Sequence, residues 1–179
     1  MSTALASQMR NRRWSALSVG LLTVIALCAS PVTASASSTD ARVWIENYNS
    51  SLCMSLPGDV VVAGARIDQW ECGIYPDQWW HLNLSDSHPG WFYIQPEQDD
   101  TLCATYVPGS DTNLTLQPCG INAANGNFNT QLWWETEDGE LKTMQGWAMS
   151  VPGASKAHNV NINTWPYGPY PDQSWGLNA

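Results

Sequence analysis

The sequence predicts an all-β fold made from three copies of one unit, and three observations carry that expectation. The tripeptide Gln-x-Trp recurs as Gln78-Trp79-Trp80, Gln131-Leu132-Trp133 and Gln173-Ser174-Trp175. Each copy closes a block of similar residues, the mark of a repeat architecture. Between these points run short apolar alternations, separated by Gly, Pro, Asn and Asp, with charges too sparse for amphipathic helices.

The alternations fall in a set order. Val43 to Asn47, Leu52 to Leu56, Arg66 to Cys72 and Trp79 to Leu84 read as four strands, and the same four recur from Trp91 and from Leu141. The repeats span about 43–84, 91–136 and 139–178. Blocks one and three superpose without a gap at a shift of 95 positions, with Cys53-Met54-Ser55-Leu56-Pro57-Gly58 over Ala148-Met149-Ser150-Val151-Pro152-Gly153 and Tyr75-Pro76-Asp77-Gln78 over Tyr170-Pro171-Asp172-Gln173. Block two is looser, with one insertion before Pro108 and a longer loop after Cys119. No single unit buries a hydrophobic face alone, so the three are expected to close around a pseudo-threefold axis. The Trp of each Gln-x-Trp is expected in the core, and its Gln on backbone groups of a nearby turn. Pro57-Gly58, Pro108-Gly109 and Pro152-Gly153 mark one turn per unit, where proline fixes φ and glycine supplies a positive φ.

Residues 1–36 read as a secretory signal peptide. Arg10, Arg12 and Arg13 form a basic start, Ala16 to Ala29 an apolar stretch, and Ala34-Ser35-Ala36 a small-x-small cleavage site. The apolar run is short for a membrane span, which takes about 20 apolar residues. Residues 37–42 read as a short leader and 43–179 as one domain. Cleavage removes three basic residues, leaving Arg42, Arg66, Lys142 and Lys156 against 16 acidic ones, so the formal net charge moves from −9 to −12. Such a surface repels phosphate, which argues against nucleic acid and anionic membranes as partners. Membrane insertion is not expected once the signal is gone.

Cys28 leaves with the signal, and four cysteines remain for an oxidising compartment. Cys53 and Cys72 occupy the same two places in block one as Cys103 and Cys119 in block two, so the pairs Cys53–Cys72 and Cys103–Cys119 are expected. Each short loop closed this way contributes about 3 kcal/mol in the chain-entropy account. Block three carries Ala148 and Tyr167 at these places, a small residue facing a large one. No Cys-x-x-Cys occurs, and His81, His88 and His158 follow no ligand spacing, so neither a metal nor a cofactor is expected. Nothing in the chain reads as a nucleophile elbow or a repeat-matched acid–base pair. An enzyme is not expected.

Three repeats with a Leu-Cys-like strand, a Pro-Gly turn, a Trp-x-Cys-like segment and a terminal Gln-x-Trp resemble the ricin B-type β-trefoil lectin family, from about Val43 to Leu177. The resemblance implies a β-trefoil, carbohydrate binding, and one shallow sugar pocket per repeat. It also implies a pocket recipe: a carboxylate just after the first Cys, an aromatic two residues before the second, and an Asn or Asp beside the Gln of Gln-x-Trp. Carried onto this chain, block one offers Ser55, Trp70, Asp77 and Gln78, and block three offers Ser150, Trp165, Asp172 and Gln173. Block two offers Thr105, Gln117, Thr130 and Gln131, with no aromatic and no carboxylate, and is expected to be silent.

All three repeats depart from the recipe, with Ser or Thr where the family's carboxylate stands, and Asp77 and Asp172 are the acceptors that remain. Each candidate also has a purely structural reading. The Gln-x-Trp residues define a fold before they bind anything, Trp70 and Trp165 lie on a strand face that is either core or pocket, and Asp77 and Asp172 follow proline in a turn they could cap. Two functions stay open: a secreted lectin for glycans or polysaccharide, and a protein-binding trefoil, such as a receptor-binding toxin component or a protease inhibitor. Two dimples floored by Trp70 and Trp165 favour the first, and an aromatic patch elsewhere favours a protein receptor.

Overall fold

A computed structural model describes residues 41–108, 112–120 and 130–179. The signal segment, most of the expected leader and Gly109 of the second Pro-Gly turn lie outside these residues. Repeat one contributes β1 (Ala41–Asn47), β2 (Leu52–Ser55), β3 (Asp68–Glu71) and β4 (Trp80–Leu84). Repeat two contributes β5 (Phe92–Pro96), β6 (Leu102–Thr105), β7 (Thr115–Pro118) and β8 (Trp133–Glu135). Repeat three contributes β9 (Leu141–Thr143), β10 (Trp147–Ser150), β11 (Val160–Asn161), β12 (Asn163–Pro166) and β13 (Trp175–Asn178). The expected order is met, with β11 and β12 as one strand interrupted at Ile162.

The outer strands of the repeats close on one another. β1 pairs antiparallel with β4 and β13, β4 with β5, β5 with β8, and β8 with β9. A bridge between Glu140 and Ser174 and the Trp175 amide donating to Gly139 O at 2.8 Å complete the circuit. Gly139 is needed there: its φ is +82°, and a Cβ would lie 2.9 Å from the Trp175 carbonyl oxygen. β1 starts at Ala41 rather than Val43, because Ala41 and Arg42 pair with Leu82 and His81. Arg42 is also fixed from outside, its guanidinium 3.7 Å from the Trp79 ring centroid and its Nε 2.6 Å from Glu97 Oε1.

The inner strands form hairpins, β2–β3, β6–β7 and β10–β12, and these meet around the pseudo-threefold axis. There the Ile67 amide donates to Leu114 O at 3.1 Å, Leu114 to Ile162 O at 2.8 Å, and Ile162 back to Ile67 O at 3.0 Å. One residue from each repeat thus closes a ring of three backbone hydrogen bonds. All three side chains are fully buried.

The Gln-x-Trp motif acts the same way three times. Trp80, Trp133 and Trp175 are buried, and their indole N–H groups donate to Met54 O, Ala104 O and Met149 O at 3.1, 3.2 and 3.0 Å. Each indole therefore fills the core and satisfies a strand carbonyl. Each Gln clamps the turn after its hairpin. Gln78 donates to Glu71 O and accepts from the Gly73 amide, Gln131 bridges Pro118 O and Gly120, and Gln173 bridges Pro166 O and Gly168. The expected disulfides Cys53–Cys72 and Cys103–Cys119 are present. In repeat three Ala148 is buried, but Tyr167 is half exposed with the Lys142 ammonium 3.9 Å from its ring centroid, so the aromatic turns outward to a cation rather than filling the place of the bridge.

Candidate functional site

Two pockets open on the hairpin side of repeats one and three. The first, of about 470 Å3, is lined by Ser55, Pro57, Gly58, Asp59, Asp68, Trp70, Tyr75, Asp77 and Asn159. The second, of about 410 Å3, is lined by Ser150, Pro152, Gly153, Ala154, Asn163, Trp165, Tyr170, Pro171 and Asp172. Seven of the lining positions correspond at the shift of 95 that aligns the two repeats, and a further correspondence pairs Asp59 with Ala154.

Local sequence explains the shape. Pro57 and Pro152 begin 3-10 turns whose second residues, Gly58 and Gly153, take φ +67° and +64°, so the chain folds back sharply to make one wall. The second wall is the Tyr-Pro-Asp turn before β4 or β13. Tyr75 leans back over Gly73, where a Cβ would lie 2.5 Å from its ring, and Tyr170 does the same over Gly168 at 2.7 Å. The floor is the start of β3 or β12. Trp70 and Trp165 stand on its outward face, 41% and 39% exposed, while the preceding Gln69 and Thr164 point into the protein.

Of the expected residues, Ser55, Trp70 and Asp77 come together in one pocket, and Ser150, Trp165 and Asp172 in the other. The Ser55 hydroxyl donates to Asp77 Oδ2 at 2.6 Å. Ser150 donates to Asp172 Oδ2 likewise, and Asp172 Oδ2 also accepts the Val151 amide at 2.9 Å. The aspartates therefore hold the pocket wall and still present a carboxylate edge. Gln78 and Gln173 require a correction: they line neither pocket, since both are fully buried with their amide groups engaged on backbone. In repeat two, Thr105 accepts from Gln131 Nε2 at 2.9 Å and donates to Cys103 O, Gln117 donates to Thr115 Oγ1 at 3.3 Å, and Thr130 is buried. None of these four is aromatic or acidic.

The structure adds residues that the recipe passed over. Tyr75 and Tyr170 give each pocket a second aromatic, and the repeated Gly-x-Tyr-Pro-Asp string was the signal for them. Asp68 and Asn163 occupy equivalent floor positions but differ in charge. Asn159 reaches the first pocket from repeat three, because Gln69 holds that loop by donating to Ser155 O and Ala157 O and accepting from the Asn159 amide. The same loop lays His158 against Trp70, with ring centroids 4.9 Å apart.

Asp68 is the unusual group. It is 1% exposed, and its Oδ1 has no hydrogen-bond partner. The nearest cation, Arg66, has its Nη2 3.8 Å from Oδ2, and its guanidinium donates instead to Asn159 and Asn161. Burial pushes the Asp68 carboxyl up to about 6, with Arg66 opposing the shift and Asp77 adding to it. No group of three His, Cys, Asp or Glu side chains converges as a metal site among the described residues. What remains is a flat aromatic pair beside hydroxyl, carboxylate and amide groups. Such a set can cover the C–H face of a pyranose and bond its hydroxyls.

The family model described as ricin-type beta-trefoil lectin domain-like matches residues 32–117. Among solved structures, the designed threefold-symmetric protein ThreeFoil superposes with a TM-score of 0.63 at 17% identity, over 77% of this chain and 98% of its own. The C-half of an earthworm R-type lectin in complex with GalNAc gives 0.60 at 15% identity, over 76% and 97%. The β-trefoil lectin of the Vibrio vulnificus hemolysin/cytolysin, with N-acetyl-D-lactosamine bound, gives 0.58 at 20% identity, over 79% and 96%. At these identities the likeness is one of fold. A search of curated protein sequences found no match.

Proposed function

We propose that this chain, which bears a ricin-type β-trefoil lectin-like domain, is a secreted carbohydrate-binding protein that holds sugars in repeats one and three. The observation that carries the reading is the double occurrence of one constellation, Trp, Tyr and a Ser–Asp hydrogen bond around an open pocket, in two repeats, while the matching described positions of repeat two hold Gln117 and Thr130 in place of Trp and Asp. A core requirement would have kept it in all three. The earthworm and Vibrio neighbours bind GalNAc and N-acetyl-D-lactosamine, which supports the class of ligand.

Each pocket is shallow, so a single sugar should be held by no more than about −4 kcal/mol, a dissociation constant near 1 mM. Two pockets on one rigid domain raise retention on a surface of repeated sugars by about 100-fold. The test is retention on polysaccharide or glycan-coated beads for wild type, Trp70→Ala, Trp165→Ala and the double variant, with folding checked by circular dichroism. Each single variant should lose the gain from double attachment, and the folded double variant should not be retained. If the double variant is retained as well as wild type, or no glycan retains wild type, the reading is wrong.

A protein-binding trefoil is the second reading, and a specific observation speaks for it. The Trp91 and Trp134 rings lie tilted against each other, centroids 6.0 Å apart, outside both pockets, and Trp134 is half exposed. Receptor capture that survives the double pocket variant but is lost in Trp134→Ala would favour it. No catalytic role is assigned in either case.

A further inference from the structure

The two pockets differ in one respect that their shared constellation hides. Repeat one places Asp59 and Asp68 where repeat three has Ala154 and Asn163, so three carboxylates line the first pocket and one lines the second. Asp68 lines the first pocket, and its buried Oδ1 has no hydrogen-bond partner. A buried acceptor with no donor is costly, and a ligand that brings a charged donor removes that cost.

We propose that the repeat-one pocket selects a sugar bearing a protonated amino group, while the repeat-three pocket takes neutral sugars. The proposal rests on the carbohydrate reading of both pockets. A cationic ammonium on the ring offers N–H donors to Asp68 Oδ1 and meets a field of three carboxylates, while Trp70 and Tyr75 hold the carbohydrate face as their counterparts do in repeat three. A metal ion does not fit as the cation, because among the described residues no three carboxylate, His or Cys side chains converge on one centre. The positive groups facing the pocket are accounted for: Arg66 is tied to Asn159 and Asn161, and His158 lies against Trp70.

The test separates the pockets before it compares ligands. Trp165→Ala leaves repeat one, and Trp70→Ala leaves repeat three. Each folded variant is titrated by calorimetry with glucosamine oligosaccharide and its N-acetylated counterpart at about pH 7, where an amine of α-amino basicity keeps its proton. The Trp165→Ala protein should prefer the amino form by about 5- to 10-fold, the gain of one charge-assisted over one neutral hydrogen bond. Trp70→Ala should show no such preference. Introducing Asp68→Asn into the Trp165→Ala protein should bring the ratio to that of repeat three, and added salt should shrink it in the parent.

Equal binding of both forms by the Trp165→Ala protein overturns the charge selection and leaves the sugar reading standing. A preference that survives Asp68→Asn overturns the role of Asp68. Competition by lysine methyl ester as strong as that by glucosamine overturns the assignment of the cation to a sugar. Binding of neither oligosaccharide, nor of any other glycan, by wild type sinks both readings together.

Discussion

Ser55 donates its hydroxyl to Asp77 Oδ2 at 2.6 Å across the first pocket, and Ser150 and Asp172 repeat the contact in the second. The carboxylate that the family resemblance places after the first cysteine is replaced in each by a hydroxyl aimed at a carboxylate on the opposite wall. The acceptor has changed sides.

This relationship predicts that restoring the familiar residue does harm. Ser55→Asp puts a second carboxylate where the hydroxyl now meets Asp77, and like charges at that range disfavour joint ionisation. The variant should melt below wild type at pH 7 and recover most of the difference at about pH 4. A thermal melt at the two pH values checks it, and an unchanged melting temperature at pH 7 counts against the pairing.

Asp68 predicts a pH-dependent stability in the wild-type protein itself. Its folded carboxyl titrates at about 6 against an ordinary 3.8, so the folded state holds the proton more tightly than the unfolded one. The group's contribution is full below about pH 4 and is lost as pH rises through about 6. Asp68→Asn, which installs the amide found at Asn163, should therefore stabilise the unliganded protein by about 1–3 kcal/mol at pH 7.5 and by nothing near pH 3.5. Denaturant melts across that range give the curve.

Gly73 predicts a way to disturb a pocket without touching it. A Cβ there would sit 2.5 Å from the Tyr75 ring, so Gly73→Ala should displace the tyrosine and weaken sugar binding in repeat one alone. Gly168→Ala should do the same in repeat three. Titrations in the single-pocket backgrounds distinguish these outcomes from a general loss of folding.

Repeat two predicts stability effects without binding effects. Trp133→Ala should cost about 3–5 kcal/mol, because it empties a buried site and unpairs the Ala104 carbonyl. Gln131→Ala strands the Gly120 amide and the Pro118 carbonyl, at about 1–3 kcal/mol. Glycan retention per folded Gln131→Ala molecule should equal wild type, and a loss would mean that repeat two binds.

Much of this was legible in the chain because the repeat reads itself three times. The strand order, both disulfides and the buried Trp80, Trp133 and Trp175 followed from register, and the Ser, Trp and Asp of the two pockets came from the family resemblance laid on that register. Register was less informative where a residue serves two ends. Gln78 and Gln173 stand beside the pocket aspartates in sequence, yet their amides turn inward to the hairpin turn, and alternation cannot tell which way a buried amide points. Asn159 was beyond reach for a different reason. It enters the first pocket from repeat three, through a loop that Gln69 and Arg66 of repeat one hold there. Asp68 was visible as a residue, but its isolation depends on where Arg66 finds its partners.

The ring through Ile67, Leu114 and Ile162 gives repeat two a structural duty toward the other two. Asp68 and Asn163, the floor residues of the two pockets, directly follow Ile67, which donates to Leu114 O, and Ile162, whose carbonyl accepts the Leu114 amide. A tripod does not stand on two legs. A shift at Leu114 would therefore tilt both floors together. The copy that lacks the Trp and Asp of the pockets levels the two that carry them.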